Sequence, residues 1–471
     1  MNTPLCVDCD GTLLKTDLLH EAVFLLAKQS PAYLFMLPFW LMRGKAYLKH
    51  QIANHVTIDF ASLPIRDEII ALINSAREEG SKVILITASP QIWAEGVARH
   101  VGLFDEAIGS NKHTNLSSIN KAQYLCDRFG KKQFDYVGND FADLPVWSDA
   151  ASAVVVTSNL TLIRQAKEKA QVKQVIAANR VTAFTYLKAL RVHQWLKNLL
   201  VWLPLAAAHQ LSSSLGIKQA LIAFFSFSFC ASAVYLLNDL LDLESDRVHI
   251  RKRKRPLAAG LIPILHGVLM CGALLCFAVF LALKLHTDFL IVLSFYFTMT
   301  LTYSLRLKKQ VIVDVILLAG LYTIRVVAGA AATQTMPSFW LLALSMFIFL
   351  SLALIKRYSE LLITLQLQKT ETAGRGYQIA DLPVLMSIGI SAGMVAVMVL
   401  ALYVNAPEST VFYKHKIWLW LAPPLLMYWI SRVWMKAHRG EVDDDPVVFA
   451  VKDWQSLVIV SLLAIIVWLA A

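Results

Sequence analysis

Hydrophobic and polar positions follow different patterns in the two parts of this chain. Over residues 1–158, polar stretches with helical spacing separate short β-branched runs, which lie at 83–87, 136–138 and 153–157. This alternation is typical of a parallel sheet covered by helices. From Trp195 onward, apolar stretches long enough to cross a bilayer follow one another. The pattern predicts a soluble α/β domain over 1–158 and an all-α membrane domain over 192–471.

The membrane domain contains about nine such stretches, each of roughly 16 to 24 residues. They lie near residues 195–210, 217–237, 262–285, 288–304, 313–333, 338–355, 385–404, 417–433 and 454–471. Basic residues crowd alternate connections, at 247–255, 306–309, 356–357 and 432–439, although Lys414 and Lys416 depart from this alternation. Lys and Arg near span ends stay on the cytoplasmic side. We therefore expect an integral protein of the bacterial inner membrane, with its N-terminal domain in the cytoplasm and its C-terminus outside.

The formal net charge of +11 follows the membrane boundaries and has no aromatic stacking platform beside it. This distribution argues against nucleic acid and favours anionic lipid and phosphorylated substrates as partners. Residues 159–191 carry several of the basic side chains. They predict a basic interfacial helix that leads to the first span, with a plain linker as the alternative.

Carboxylates follow a predicted strand at the start of the soluble domain. The segment reads Asp8-Cys9-Asp10-Gly11-Thr12. A carboxylate at the end of a strand can attack phosphorus, and a second carboxylate two residues later can protonate the leaving oxygen. Gly11 permits a tight turn whose backbone N–H groups face a phosphate. Further polar groups follow later strands: Thr87, Asn139, Asp140 and Asp143.

These segments, in this order, resemble the haloacid dehalogenase (HAD) phosphohydrolase superfamily. The resemblance implies a Rossmann-like parallel sheet with a small helical cap, over about 17–80. It also implies Asp8 as the nucleophile, Asp10 as the general acid and base, and Thr87 as a phosphoryl ligand. Lys121 would neutralise the transition state, with Lys112 as the second choice.

The resemblance further implies Mg²⁺ held by Asp8, the Asp10 carbonyl and the loop that contains Asn139, Asp140 and Asp143. The family commonly has Asp where this chain has Asn139, so either Asn139 or Asp140 could hold the metal. A domain that keeps the fold without catalysis is the alternative.

The predicted cap includes an apolar segment at 31–42 that is too short and too interrupted by proline to cross a bilayer. It is either part of the cap core or a surface that enters the membrane through Phe35, Phe39 and Trp40.

Acidic residues also lie at the end of the second apolar stretch. Asp239, Asp242 and Asp246 have i, i+3, i+7 spacing, so a helix presents them on one stripe, with Asn238 beside Asp242. Three carboxylates on one face repel each other unless a cation lies between them. The stripe therefore predicts Mg²⁺ with a polyphosphate substrate, and a solvated acidic loop is the alternative.

This motif, together with Arg255-Pro256, resembles the UbiA superfamily of membrane prenyltransferases over about residues 180–471. Segments 191–198, 303–308, 314–325 and 444–453 are similar to the branch that makes polyprenyl-phosphate phosphoribose. That branch transfers 5-phosphoribosyl from phosphoribosyl pyrophosphate to polyprenyl phosphate. The chain has no clear second DxxxD pair, a motif of many aromatic prenyltransferases, and its absence favours the sugar-transfer branch.

Several polar side chains of the predicted membrane domain are candidates for substrate binding. They are Lys197, Asn198, Asn238, Arg253, Arg255, Tyr303, Lys308, Tyr322, Arg325 and Lys356. Each cation also fits the positive-inside pattern. Arg325 differs because it falls near the middle of a span, where an unpaired charge is costly. We expect it to line the substrate cavity with Tyr322, and snorkelling or a structural partner is the alternative.

Together the two resemblances imply a bifunctional, Mg²⁺-dependent enzyme. The phosphatase would remove the ribose 5-phosphate from the transferase product and leave polyprenyl-phosphoryl ribose. One alternative is an aromatic-acceptor prenyltransferase that uses polyprenyl diphosphate, with an independent phosphatase. The other is a transporter with a regulatory domain.

Overall fold

The computed structural model describes residues 3–178, 181–249, 251–366, 375–442 and 446–471. It divides into two compact units. The first comprises Met1–Leu190 with Leu236–Met270, and the second comprises Arg191–Tyr235 with Cys271–Ala471. Asp444 and Asp445 of the segment at 444–453 lie outside the described residues.

The first unit contains a six-stranded parallel sheet with strand order β3-β2-β1-β4-β5-β6. The strands are β1 (Leu5–Val7), β2 (Val83–Pro90), β3 (Glu106–Ser110), β4 (Asp135–Gly138), β5 (Ser152–Val156) and β6 (Val172–Ile176). The predicted parallel α/β sheet is therefore confirmed. Val7 is in register with Leu85 and with Val137. This pairing brings the loops after β1, β2 and β4 to one edge of the sheet.

The helices of this part are α1 (Leu18–Gln29), α2 (Leu37–Met42), α3 (Lys45–His55), α4 (Asp67–Glu78), α5 (Gln91–Val101), α6 (Ile119–Phe129), α7 (Leu144–Asp149), α8 (Leu160–Lys169) and α9 (Ala183–Ala189). Helix α8 and strand β6 occupy residues that the sequence pattern assigned to a basic linker helix. Strand β6 pairs with β5, so the sheet continues past residue 158. Within the interval 159–191 that was predicted as a linker, α9 forms a separate short helix.

Helices α1 to α4 fill the interval between β1 and β2, where the cap was expected. Within it, Phe35, Phe39 and Met42 are exposed by 81%, 61% and 85%, so a cap surface of large apolar side chains faces outward. Trp40 does not belong to this surface. It is 7% exposed, and its ring packs near Tyr33 and His55.

Helices dominate the rest of the chain. They are α10 (Leu203–Ala207), α11 (Ser214–Leu241), α12 (Leu243–Val248), α13 (Ile264–Ala282), α14 (Thr287–Leu305), α15 (Val313–Thr333), α16 (Phe339–Gln366), α17 (Leu382–Asn405), α18 (Ser409–Phe412), α19 (Ala422–His438), α20 (Pro446–Lys452) and α21 (Trp454–Ala470). A 3₁₀ helix, Val192–Trp202, precedes α10.

Within the described residues, six helical segments are long and apolar enough to cross a membrane. They are Ser214–Leu241, Ile264–Ala282, Thr287–Leu305, Val313–Thr333, Phe339–Gln366 and Ile379–Asn405. The other three predicted stretches correspond to shorter helices, including α19 and α21 with 17 residues each. The structure thus supports six of the nine expected spans by length and composition.

In the second unit, Gly329 on α15 lies against the 3₁₀ helix Val192–Trp202. A Cβ atom at this glycine would come within 1.9 Å of the Val201 carbonyl oxygen. No side chain fits at that distance, so glycine permits the close approach of the two backbones. The approach places Lys197 and Asn198 beside the buried face of α15 that carries Arg325.

Candidate active sites

The loops at the edge of the sheet bring the phosphatase candidates together. Asp8 is 7% exposed, and its Oδ1 accepts a hydrogen bond from Lys121 Nζ over 2.6 Å. Thr12 Oγ1 donates to Asp8 Oδ2 over 3.2 Å and also lies 3.0 Å from Asn139 Oδ1. Asp10 Oδ2 accepts hydrogen bonds from Thr87 over 3.2 Å and from Ser89 over 2.8 Å.

The loop after β4 is organised by Asp143. Its Oδ2 accepts from the backbone N–H groups of Asn139 and Asp140, over 2.9 and 3.0 Å. Its Oδ1 accepts from the Tyr136 hydroxyl over 2.8 Å, and Tyr136 in turn accepts from Lys121 over 2.9 Å. The Asp140 side chain is exposed and caps the 3₁₀ helix Phe141–Asp143. In this loop, the Asn139 side chain is thus the one that contacts Thr12, whose hydroxyl also donates to Asp8.

Gly11 makes this arrangement possible. Its φ of +75° is in the left-handed region, and a Cβ atom there would come within 2.3 Å of Asn139 Nδ2. Both features favour glycine. The turn predicted after Asp10 is therefore also the place where the Asn139 side chain approaches the backbone.

Burial sets the protonation of the two loop aspartates. It raises the pKa of Asp8 to about 7, because the loss of solvation outweighs the attraction of Lys121. Burial also raises the pKa of Asp10, with Asp17 adding to the effect. For Lys121, burial lowers the pKa, but the charges of Asp8 and Asp143 more than reverse this, so its pKa is raised. Lys121 therefore remains a cation beside the candidate nucleophile.

The acidic stripe also lies in the first unit, where α11 ends and α12 begins. Hydrogen bonds from Asp242 N to Asn238 O and from Asp246 N to Asp242 O bridge the junction, where Asp242 itself leaves the helical conformation with φ of −93° and ψ of 11°. Asp239 and Asp246 are 4% and 1% exposed. Arg255 Nη1 donates to Asp239 Oδ1 over 3.0 Å and contacts Asp246 Oδ2. Arg253 is exposed and lies outside this group.

Two oxygen atoms of the stripe are buried without a hydrogen-bond donor among the described residues: Asn238 Oδ1 and Asp246 Oδ1. Lys252 Nζ approaches the second oxygen only to 3.6 Å. Buried acceptors of this kind are costly unless a ligand satisfies them, and oxygen atoms are the ligands that Mg²⁺ prefers. The donor set fits a divalent cation, although the described residues contain no group of three acidic, histidine or cysteine side chains already converged around one point.

The second unit buries a cluster around Arg325 on α15. Arg325 donates to Asn198 Oδ1 over 2.9 Å, to the Tyr296 hydroxyl over 3.2 Å and to the Leu321 carbonyl. Its guanidinium and the Lys197 ammonium each lie 5.6 Å from the centre of the Tyr322 ring. Arg325 contacts no carboxylate in the described part of the chain. Two buried cations beside one aromatic ring repel each other, so the cluster favours the binding of an anion nearby.

Tyr303 belongs to a separate buried network in the same unit. Its hydroxyl accepts hydrogen bonds from Arg357 over 3.0 Å and from Arg375 over 3.4 Å. Arg357 also pairs with Asp314 and with Glu360, the latter over 2.6 Å. The carboxylates of Asp314 and Glu360 are therefore both paired with arginine. Lys308 and Lys356, which were predicted alongside Tyr303, are half-buried.

Comparisons with known proteins identify two families along the chain. Residues 199–469 match the model for the UbiA prenyltransferase family. The chain belongs to this family. Residues 5–119 match the model for haloacid dehalogenase-like hydrolases. The two families indicate an integral membrane enzyme in which a UbiA domain follows a HAD domain.

Several relatives are similar to this chain. A Sinorhizobium fredii protein called "Uncharacterized protein y4nM" is 36% identical over 464 residues, which cover 98% of this chain and 90% of that protein. "Nodulation protein NoeC" of Azorhizobium caulinodans is 33% identical over 293 residues, or 61% and 94% of the two chains. "Decaprenyl-phosphate phosphoribosyltransferase" of Mycolicibacterium smegmatis is 36% identical over 184 residues, which cover 37% of this chain and 56% of that protein.

Solved structures of UbiA proteins are also similar. A UbiA homolog from Archaeoglobus fulgidus, bound to GPP and Mg²⁺, covers 60% of this chain and 99% of its own, with a TM-score of 0.47 and 15% identity.

Sequence reasoning missed several polar residues of these sites. Ser89 could have been found, because it lies two residues after Thr87, near the end of β2. Tyr136 shares a strand face with Gly138 but resembles an ordinary core residue. In the UbiA domain, Arg357 stands next to the predicted Lys356, yet only the fold reveals its pairing with Asp314 on another helix.

Proposed function

We propose that the UbiA domain transfers 5-phosphoribosyl from phosphoribosyl pyrophosphate to polyprenyl phosphate, and that the HAD domain removes the ribose 5-phosphate from the product. The observation that carries the transferase proposal is the pair of buried, unsatisfied oxygens on Asn238 and Asp246. They suit a metal-bound diphosphate. The similarity to decaprenyl-phosphate phosphoribosyltransferases supports the choice of sugar and lipid, although it covers 37% of this chain.

For the transferase, Asn238, Asp239, Asp242 and Asp246 would hold Mg²⁺. The ion would neutralise charge on the pyrophosphate leaving group. A lipid phosphate oxygen then forms a bond to the anomeric carbon, while the bond from that carbon to pyrophosphate breaks. Arg255 lies between Asp239 and Asp246 and can turn toward phosphate oxygens when a metal balances the two carboxylates. In the second unit, the buried cations Lys197 and Arg325 are candidates to bind phosphate oxygens.

The Tyr303 network favours sugar transfer over aromatic prenylation, the second candidate. Aromatic prenyltransferases of this family commonly use a second pair of aspartates. Here Glu360 is paired with Arg357 over 2.6 Å and with Arg375 over 3.3 Å, and Asp314 contacts the same two arginines. Carboxylates neutralised in this way are poor ligands for a second metal ion.

For the phosphatase, we assign Asp8 as the nucleophile and Asp10 as the general acid. The Asp8 carboxylate forms a bond to phosphorus, and Asp10 protonates the ribose oxygen as the phosphorus–oxygen bond breaks. Water then hydrolyses the aspartyl phosphate, with Asp10 as the base. The raised pKa of Asp10 suits it to carry the proton. Lys121 would stabilise the added charge. Asp8 and Asn139 are the side chains that we assign to Mg²⁺, which would neutralise the phosphate.

A polar cavity of about 430 Å³ beside the cap fits a second anionic group on the phosphatase substrate. Arg43, Lys45, Lys112 and His113 contribute to its lining, together with Asn115. Asn115 lies 3.4 Å from Ser110 Oγ, which donates to the Ala88 carbonyl; Lys49 donates to the same carbonyl. The cavity wall thus adjoins the end of β2, where Thr87 and Ser89 donate to Asp10. A phosphodiester, as in a lipid-linked sugar phosphate, has the charge to occupy it.

We further propose nine spans in a bacterial inner membrane, with the HAD domain in the cytoplasm and the C-terminus outside. The alternating basic connections support this orientation. Phosphoribosyl pyrophosphate would then reach the transferase from the side of the membrane on which the phosphatase domain lies.

The experiment that tests the transferase uses the purified full-length protein in detergent with Mg²⁺. Phosphoribosyl pyrophosphate labelled in the ribose is supplied with polyprenyl phosphate, and the organic phase is counted. Label should enter lipid only when both substrates are present. A matched reaction with polyprenyl diphosphate and an aromatic acid tests the second candidate. Product in that reaction alone would replace sugar transfer with aromatic prenylation.

A further inference from the structure

A buried ion pair joins the HAD fold to the acidic stripe within the first unit. Glu21 on α1 accepts a hydrogen bond from Arg247 on α12, although the two residues are 226 positions apart in sequence. The two side chains are only 5% and 4% exposed. Neither residue belongs to the catalytic or substrate-binding groups described above, so their burial calls for a different explanation.

Further contacts hold the same segment on either side of this pair. Lys28, also on α1, donates to the Leu241 carbonyl over 3.2 Å and lies 3.6 Å from Glu244. At Gly260, where φ is +67°, a Cβ atom would come within 2.8 Å of Lys15 Cβ. The segment 241–260 is therefore attached to the HAD fold at its beginning, its middle and its end.

These attachments lie within the acidic stripe and directly after it. Leu241 lies between Asp239 and Asp242, and Arg247 directly follows Asp246. Removing one partner of a buried ion pair leaves the other charge uncompensated, which is far more costly than losing an exposed pair. The pair therefore resists rotation or sliding of α12, and such movements would carry Asp246 away from Asp239.

The same helix also contacts the phosphatase loop. Glu21 Oε1 accepts from Thr16 Oγ1 over 2.7 Å, and the N–H of Leu18, the first residue of α1, donates to Asp10 Oδ1 over 2.8 Å. One short helix thus positions the general acid at its first turn and Arg247 one turn later.

We propose that Glu21 is a positioning residue for the transferase: through Arg247, the HAD domain holds the acidic stripe in its metal-binding geometry. This inference rests on the proposed role of the stripe as a metal site. It predicts that the HAD domain is a structural part of the transferase in addition to acting on its product.

The test measures metal affinity directly. Mn²⁺ replaces Mg²⁺, and its binding to full-length protein in detergent is followed by electron paramagnetic resonance. An Asp8→Asn background weakens the HAD metal site, so the remaining tight binding reports on the stripe. Glu21→Gln and Arg247→Gln should each weaken Mn²⁺ binding about tenfold, as loss of groups that orient metal ligands commonly does. The double variant should be no weaker than either single variant, because both changes remove one interaction.

Controls separate positioning from general damage. Glu106→Gln removes an exposed ion pair of the HAD domain, with Arg128, and should leave Mn²⁺ affinity unchanged. Arg247→Lys keeps the charge and should bind Mn²⁺ more tightly than Arg247→Gln. With Asp8 intact, Glu21→Gln should hydrolyse p-nitrophenyl phosphate within about twofold of the parent rate, which verifies the fold.

Unchanged Mn²⁺ affinity in Glu21→Gln would overturn the inference, as would additive losses in the double variant. If the Mn²⁺ site in the Asp8→Asn background survives Asp242→Asn, the stripe is not the metal site, and the inference fails with it. If Mn²⁺ binding depends on both Asp242 and Glu21 while no labelled lipid forms, the positioning role stands and the proposed substrates are wrong.

Discussion

Arg255 Nη1 lies 3.0 Å from Asp239 Oδ1 and also contacts Asp246, so one guanidinium links two carboxylates of the acidic stripe. In this position it supplies the positive charge that a divalent cation would otherwise provide. The two carboxylates are almost fully buried, whereas the Arg255 side chain is 27% exposed. In the proposed transferase site, arginine and Mg²⁺ would therefore be alternative partners for the same pair of anions.

Replacing this arginine should make the fold depend on metal. Arg255→Gln leaves Asp239 and Asp246 without their shared cation, at a cost on the order of 2 kcal/mol, reduced by the partial exposure of Arg255. The melting temperature in EDTA should fall by several degrees, and Mg²⁺ should restore most of it. Equal melting temperatures for parent and variant in EDTA would show that the ion pairs contribute nothing to stability.

Arg325 offers a test of the buried cation cluster. Arg325→Leu removes the charge together with hydrogen bonds to Asn198 and Tyr296, and Arg325→Lys keeps the charge. If the cation binds phosphate, the leucine variant should raise KM for one substrate by roughly tenfold or more, and the lysine variant should raise it less. A lower melting temperature with both KM values unchanged would mean that the residue only holds α15 to its neighbours.

The phosphatase should show a metal-dependent pH profile. As the proposed nucleophile, Asp8 must be ionised to attack, and burial raises its pKa to about 7. Hydrolysis of p-nitrophenyl phosphate should therefore be lost as pH falls through the pKa of Asp8. A bound cation favours the ionised form, so the midpoint should move to lower pH as Mg²⁺ is increased. A midpoint that does not respond to Mg²⁺ would argue against Asp8 as a metal ligand.

The sequence predicted the parallel sheet and the residues around Asp8 because strand ends and short motifs are local features. It also placed Asp239, Asp242 and Asp246 on one stripe, since helical spacing fixes their common face. The partners of these residues could not be predicted in the same way. Arg247 and Glu21 meet only after the chain folds, and β6 resembles a basic linker because residues 173 and 174 of this edge strand are polar and exposed. From the sequence, Trp40 likewise resembles a membrane contact, but tertiary packing buries it in the structure.

Membrane orientation can be tested at the C-terminus. Alkaline phosphatase fused after Ala471 should be active in a bacterial host, since it folds only outside the cytoplasm, whereas a green fluorescent protein fusion at the same point should remain dark. The alternating basic connections motivate this expectation. Fluorescence from the second fusion would mean an even number of spans after the HAD domain.

The most direct test of the account follows the phosphorylation state of the lipid. Parent protein, Asp8→Asn and Asp242→Asn are each incubated with labelled phosphoribosyl pyrophosphate, polyprenyl phosphate and Mg²⁺, and the lipid extracts are analysed by mass spectrometry. The parent should yield polyprenyl-phosphoryl ribose. Asp8→Asn should accumulate the same lipid with a 5-phosphate, and Asp242→Asn should form neither while still hydrolysing p-nitrophenyl phosphate. Identical lipids from the parent and Asp8→Asn would contradict the proposed sequence of the two reactions.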